Sequence, residues 1–360
     1  MTVLTTRDLN RALLARQHLV DRVAMPVPDM VEHLVGLQAQ APLPPYFGLW
    51  SRLTDFRPAD LSDLIADRTL VRGTLMRGTL HLASARDYLA VRPALQGMLE
   101  KALLSTYSKK LAGLTRDEIA AAGRAAVTGR AATPAEIGRA LLEHWPGYDH
   151  QALSNAARMY VPMVQTPPRG LWGASGQPQF STVEDWIGAP VAADTAPDEL
   201  VLRYLAAFGP ATTKDIQAWS WLTGVKAIVD RLRPRLRTFR TESGAELLDV
   251  PDAPLPGGDL PVRPRFVAAF DNLILSHSDR SRILDDGHRK RIFTVNGLIP
   301  ATVLVDGFVA GTWRIADGVL LVDTFEELRP ADREALAAEG AGLLAFAEAG
   351  TDKVEFSHAN

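Results

Sequence analysis

The sequence predicts an α+β protein built from three tandem winged-helix modules and a β-rich C-terminal part. Three observations lead there: a repeated order of short helices followed by a hairpin, turn-forming pairs at the hairpin tips, and a change from helical to alternating periodicity after the Pro/Gly-rich stretch 251–261.

The first stretch runs from about residue 6 to residue 83. Apolar residues recur at helical spacing over 7–18, 28–37, 45–53 and 58–67, and the segment from Leu70 to Leu82 reads as strand, turn, strand. The second stretch covers about 115–180. Thr115 and Glu118 have capping-box spacing, and Thr133-Pro134-Ala135-Glu136 repeats it with proline in the first helical turn. A third helix over 149–160 leads into 163–180, where Pro167-Pro168-Arg169-Gly170 suggests a hairpin.

The third stretch is the clearest. A helix over 197–208 meets Gly209-Pro210-Ala211-Thr212, after which Thr212 or Thr213 can cap the helix 214–220. Leu222-Thr223-Gly224 turns the chain into a further helix over 225–236, and 236–250 alternates as a hairpin turning at Ser243-Gly244. Helix-turn-helix followed by a β-wing is a winged helix; a small α+β packing unit is the plainer reading of each copy. Beyond the linker, 266–275, 291–295, 299–305, 308–314 and 319–325 are short β-type runs. Asp306-Gly307 and Asp317-Gly318 supply two-residue hairpin turns. An antiparallel β-barrel or sheet is expected there, then a helix over 330–349 and a strand over 353–357. The predicted domains are 1–112, 113–190, 191–255 and 256–360.

Composition narrows the function. With 360 residues, 47% hydrophobic and 22% charged, the chain has the make-up of an ordinary globular protein with two or more cores. It contains no cysteine, which excludes disulfides, thiolate nucleophiles and cysteine zinc sites. No histidine pair has metal-binding spacing, and neither a metal nor another cofactor is expected. No apolar run approaches the roughly 20 residues of a membrane span, and residues 1–10 lack a signal-peptide pattern. A cytoplasmic monomer without a membrane partner is expected. The net charge of −3 argues against indiscriminate nucleic-acid binding. Basic residues nevertheless cluster at Arg68, Arg72 and Arg77, at Arg231 to Arg240, and at Arg280 to Arg291, while acidic ones gather over 323–348. Such separation can build a basic face; solvated surface is the alternative.

The chain offers little ordinary catalytic equipment, which draws attention to Gly36-Leu37-Gln38-Ala39-Gln40, two amides one residue apart. On a helix, residues i and i+2 project about 200° apart, whereas in extended geometry they point the same way. Pro42 pushes Ala41 out of the helical region, so the helix from Pro28 should end around 37–40 and leave Gln38 and Gln40 where the chain unwinds. Asp271 ends a buried-looking strand, where a carboxylate needs a partner, and it can orient a neighbour or cap a turn. The segment from Ser276 to Arg282 reads as a polar loop between two strands, suited to phosphate contact or duplex insertion.

Val35-Gly36-Leu37-Gln38-Ala39-Gln40-Ala41-Pro42 followed by Pro45-Tyr46-Phe47-Gly48-Leu49-Trp50 resembles the winged-helix DNA glycosylases of the AlkZ/YcaQ type. So do Met76-Arg77-Gly78-Thr79-Leu80-His81-Leu82, the segment from Phe270 to Arg282, and Val305-Asp306-Gly307 through Trp313-Arg314. In order, these motifs span nearly the whole chain. The resemblance implies three winged helices in a C-shaped arrangement clasping duplex DNA. It also implies catalysis by a Gln-x-Gln or Gln-x-Asp motif. Gln38 and Gln40 match the Gln-x-Gln form of the AlkZ-like branch, a member of which protects an antibiotic producer from a crosslinking agent; YcaQ-like members carry Asp at the second position.

The expected reaction is hydrolysis of the glycosidic bond of N7-alkylguanine, with unhooking of interstrand crosslinks and without strand cleavage. Alkylation at N7 makes the base a cationic leaving group, so Gln38 and Gln40 need only hold a water against C1′. The substrate is double-stranded DNA carrying such lesions, met at the nucleoid. Expected DNA-binding residues are Arg77, His81, Arg231, Arg235, His277, Arg280 and Arg282, with Asp271 orienting the site. A tandem winged-helix transcriptional regulator without catalysis stays open as the alternative.

Overall fold

The computed structural model describes residues 2–294 and 297–358. Its strands, in chain order, are β1 (Val3–Leu4), β2 (Leu37–Gln38), β3 (Leu70–Thr74), β4 (Leu80–Ser84), β5 (Met163–Thr166), β6 (Gln179–Thr182), β7 (Arg237–Thr241), β8 (Glu246–Asp249), β9 (Arg265–Val267), β10 (Ala301–Val305), β11 (Phe308–Ala316), β12 (Val319–Thr324) and β13 (Val354–His358). They form three sheets, in the orders β2-β4-β3-β5-β6, β1-β7-β8 and β13-β12-β11-β10-β9, and helices pack among them. The class is α+β.

Local signals set most helix starts. Thr115 and Thr133 make reciprocal capping boxes with Glu118 and Glu136, opening the helices Arg116–Val127 and Pro134–His144. Thr212 does the same with Asp215 for Thr213–Ser220. That helix ends at Trp221, and Val225–Leu232 begins after Gly224, both turn residues being left-handed.

The hairpins of the first two stretches do not stay in separate units. β3 pairs with β5, Arg72 opposite Gln165 and Gly73 opposite Val164, so one five-stranded sheet serves both. The third hairpin is extended by the N-terminus, with Val3 opposite Arg240 in parallel pairing.

Of the two expected forms, antiparallel barrel or sheet, the C-terminal strands form a sheet, and it departs from antiparallel order at one edge. The sheet is open, its edges β9 and β13 lying at opposite ends of the order, and β13 runs parallel to β12. The helix Pro330–Phe346 carries the chain over the sheet between them, and such a crossover returns the next strand in the same direction. The expected strand 266–275 is shorter: Phe270 is left-handed, and Asp271 accepts from the Leu273 N–H to cap the helical turn Asn272–Leu275. The expected run 291–295 starts instead as the helical turn Arg289–Ile292, and its last residue lies outside the described residues. The Ser276 to Arg282 segment therefore follows a helix and is not a strand connection.

A further departure creates the candidate site. The helix expected to reach 37–40 stops at His33, because Val35 and Gly36 are left-handed with φ of 55° and 87°. A Cβ on Gly36 would lie 3.0 Å from the Leu82 carbonyl oxygen, so glycine lets the chain approach β4 and enter the sheet as β2.

Candidate active site

Gln38 and Gln40 sit at the edge of the five-stranded sheet. The backbone of Ala39 between them is held at both ends: its N–H donates to Leu80 O at 2.7 Å, and its carbonyl accepts from Arg72 Nη2 at 2.7 Å. Gln38 is the last residue of β2, and Gln40 lies in the bend that follows. Gln38 is 7% exposed and Gln40 is open to solvent.

A row of facing residues crosses the sheet from Gln38 to His81, Gly73 and Val164. Gly73 has no side chain for a steric reason, since a Cβ there would lie 2.2 Å from the Tyr88 ring. His81, between Gln38 and Gly73 in this row, is fully buried. Its Nδ1 lies 3.0 Å from the Thr79 carbonyl, which can only accept, so Nδ1 carries the proton and Nε2 is a bare acceptor. Nε2 is buried with no partner among the described residues. Burial, and then the nearby Arg77 charge, push the imidazole pKa down to about 3. His81 is neutral at physiological pH.

Arg77 ties three segments together. Its Nη1 donates to Trp219 O at 2.7 Å, and its Nη2 donates to Gln38 Oε1 and to Asn272 Oδ1, each at 2.8 Å. Asn272 in turn donates to Gly36 O at 3.1 Å. Burial and the charge of Arg280 lower the Arg77 pKa to about 10, so the guanidinium stays charged at neutral pH. Gln40 Oε1 accepts from the Leu80 N–H at 3.3 Å.

The expected DNA-contact residues divide. Arg77 and His81 do join the glutamines, but as parts of the protein's own network: one is engaged by three protein acceptors, the other is fully buried. His277 and Arg282 are also enclosed, at 1% and 4% exposure. Arg282 donates to Pro210 O at 2.7 Å and lies beside Asp215, while His277 Nε2 is 3.1 Å from Phe208 O. His81, His277 and Arg282 are thus enclosed and present no surface to DNA, whereas Arg77 is partly exposed with its guanidinium engaged by the protein. Arg280 is partly exposed and stacks on Phe293, and Ser278, Asp279 and Ser281 are the exposed part of its loop. Arg231 and Arg235 are exposed, the first bound to Asp198 at 2.6 Å, the second 4.0 Å from Glu199. Arg289, Lys290 and Arg291 are exposed and form no ion pair among the described residues.

Asp271 forms a buried ion pair with Arg52, at 2.8 and 2.9 Å, which anchors the turn carrying Asn272. Sequence reasoning assigned no role in the site to Asn272, Trp219 or Arg72. Arg72 was grouped with surface basics, yet it is 2% exposed and serves Ala39. Its place directly after Leu70-Val71 in an apolar β-type run was the available signal.

Compared with known proteins, residues 31–346 match the family model described as DNA glycosylase AlkZ-like. The chain is 24% identical to the interstrand DNA cross-link repair glycosylase of Streptomyces sahachiroi, with 91% of this chain and 92% of the relative covered. In three dimensions it resembles the solved Streptomyces sahachiroi DNA glycosylase AlkZ, with a TM-score of 0.82, 21% identity and full coverage of both chains. That likeness establishes the fold.

Proposed function

The chain belongs to the AlkZ-like DNA glycosylase family, and from that premise we propose that it is a monofunctional DNA N-glycosylase that hydrolyses the glycosidic bond of N7-alkylated guanine and unhooks interstrand crosslinks. The observation that carries the reading is the Gln38 and Gln40 pair at an open sheet edge, with the backbone between them clamped at both ends. Two uncharged amides suit a substrate that is already a cationic leaving group, because such a bond breaks without a strong general base. The relative's crosslink repair supports the substrate class, and self-resistance to a DNA-alkylating natural product is part of the proposal.

In this reading the helix pairs and hairpins form three winged helices over 1–112, 113–190 and 191–255, which with 256–360 clasp duplex DNA in a C-shaped arrangement. The pair Thr213–Ser220 and Val225–Leu232 followed by the β7-β8 hairpin supports it most directly. Arg280 and the basic run 289–291 would meet phosphates, and Arg231 and Arg235 would exchange their carboxylates for them. Asp271 would orient the site through Asn272. The protein would act as a cytoplasmic monomer at the nucleoid.

The decisive assay incubates the protein with N7-methylguanine DNA and with a crosslinked duplex, then measures free base and alkali-labile sites. Release from either is expected; release from neither sinks the proposal in favour of a DNA-binding regulator.

A further inference from the structure

We propose that Gln38 and Gln40 act as hydrogen-bond donors to the departing base, and that Arg77 is the positioning residue that fixes Gln38 in that sense. This rests on the glycosylase reading above and concerns the same site.

An amide offers an oxygen that accepts and an NH₂ group that donates. Arginine has only donors, so the Gln38 atom 2.8 Å from Arg77 Nη2 must be the oxygen. The Gln40 atom facing the Leu80 N–H must be the oxygen for the same reason. Each oxygen thus spends one of its two lone pairs on the protein. Neither Nε2 donates to any partner among the described residues. The unengaged ends of the pair are therefore the two NH₂ groups, and these are the donors a ligand meets.

Arg77 is built to hold this orientation. Its backbone is left-handed, with φ of 58°, a conformation that a non-glycine residue keeps only where its surroundings demand it. The surroundings are Trp219 O, Gln38 Oε1 and Asn272 Oδ1, and the Asn272 amide is itself oriented by its bond to Gly36 O. The sense of Gln38 is therefore set by three separate segments of the chain.

Donors suit the reaction. As the C1′–N9 bond of a cationic N7-alkylguanine breaks, its electron pair passes to the base, which leaves neutral. A water oxygen bonds to C1′, and its proton passes to solvent. Acceptor atoms on the purine gain electron density along this path, so hydrogen bonds to them strengthen in the transition state, which is the requirement for catalysis.

The test compares the wild type with Gln38→Glu, Gln40→Glu, Gln38→Ala and Arg77→Lys on N7-methylguanine DNA. Gln38→Glu keeps size and acceptors but loses the donor. The expected result is a loss of base release matching Gln38→Ala at neutral pH, with recovery on acidification as the carboxyl regains an O–H; Gln40→Glu should follow the same course. Glu variants that keep wild-type rates at neutral pH and weaken in acid would overturn the donor assignment. Arg77→Lys keeps the charge but cannot span three acceptors. It should lower kcat at least tenfold with KM within twofold, and an unchanged kcat would overturn the positioning role. If the wild type releases no base, the glycosylase reading fails separately. The donor assignment is then read from the Gln38 side-chain NH₂ resonances on adding uncleavable 2′-fluoro N7-methylguanine DNA: a downfield shift supports it, and no shift overturns it.

Discussion

Arg52 and Asp271 close a two-point ion pair in the interior, Nη1 to Oδ2 at 2.8 Å and Nη2 to Oδ1 at 2.9 Å, with side chains 1% and 2% exposed. Arg52 also donates to Gly48 O and Gln17 Oε1, so its guanidinium is shared by distant parts of the chain. Asp271→Asn would leave that charge buried with no counter-ion. It should destabilise the protein by roughly 3–5 kcal/mol, read as a lower urea midpoint. A loss below about 1 kcal/mol would show that the pair does not anchor the Asn272 turn.

Gln38→Ala should lower base release by about 10²–10³-fold, the usual effect of removing one donor aimed at developing charge. DNA affinity should stay within twofold of wild type. A regulator would be indifferent to this change, and equal loss of binding and release would show that Gln38 only holds the duplex.

Gly73→Ala should destabilise the sheet, since the new Cβ meets the Tyr88 ring at 2.2 Å and that ring is anchored by its hydroxyl to Met163 O at 2.8 Å. Overpacking of this kind costs about 1–3 kcal/mol. Calorimetry should show a lower Tm, and the double variant with Tyr88→Ala should recover part of it.

Lys290→Ala and Arg291→Ala should each reduce the slope of log affinity against log salt by about 1, as expected for a lost phosphate contact. Both residues are exposed without an ion-pair partner among the described residues. Arg282→Ala should instead act through stability, because the side chain is enclosed and bonded to Pro210 O.

Acid should destabilise the protein progressively from just below neutrality. His81 and His277 are buried with pKa values lowered to about 3, whereas in the unfolded chain each titrates near 6.5. The unfolded state therefore binds more protons between those values, so stability is full above pH 6.5 and falls as pH drops toward 3. Urea midpoints from pH 7.5 to 5 should decline, and His81→Asn should flatten the decline. A midpoint independent of pH over that range would show the histidines to be accessible.

Much of the architecture was legible because it is local. The capping boxes at Thr115, Thr133 and Thr212 form within four residues, and the Asp306-Gly307 and Asp317-Gly318 turns fix β10 to β12 as consecutive hairpins. Departures arose where a left-handed residue such as Val35 or Phe270 ends an element early, and where partners are distant. Nothing near residues 163–166 indicates that β5 pairs with β3, or that the last strand returns parallel to β12.

The sequence by itself determined the family, the helix starts, the hairpins and the identity of the two glutamines, because these depend on residue type and short spacing. Only the tertiary structure decided what the basic residues do. Arg77 and Arg231 look alike in the chain, yet one is locked onto Gln38, Asn272 and Trp219 and the other lies exposed beside Asp198. The orientation of the Gln38 amide was also decided there. It is set by donors and acceptors 39 to 195 residues apart in the chain, a relation that exists only once those segments are folded against one another.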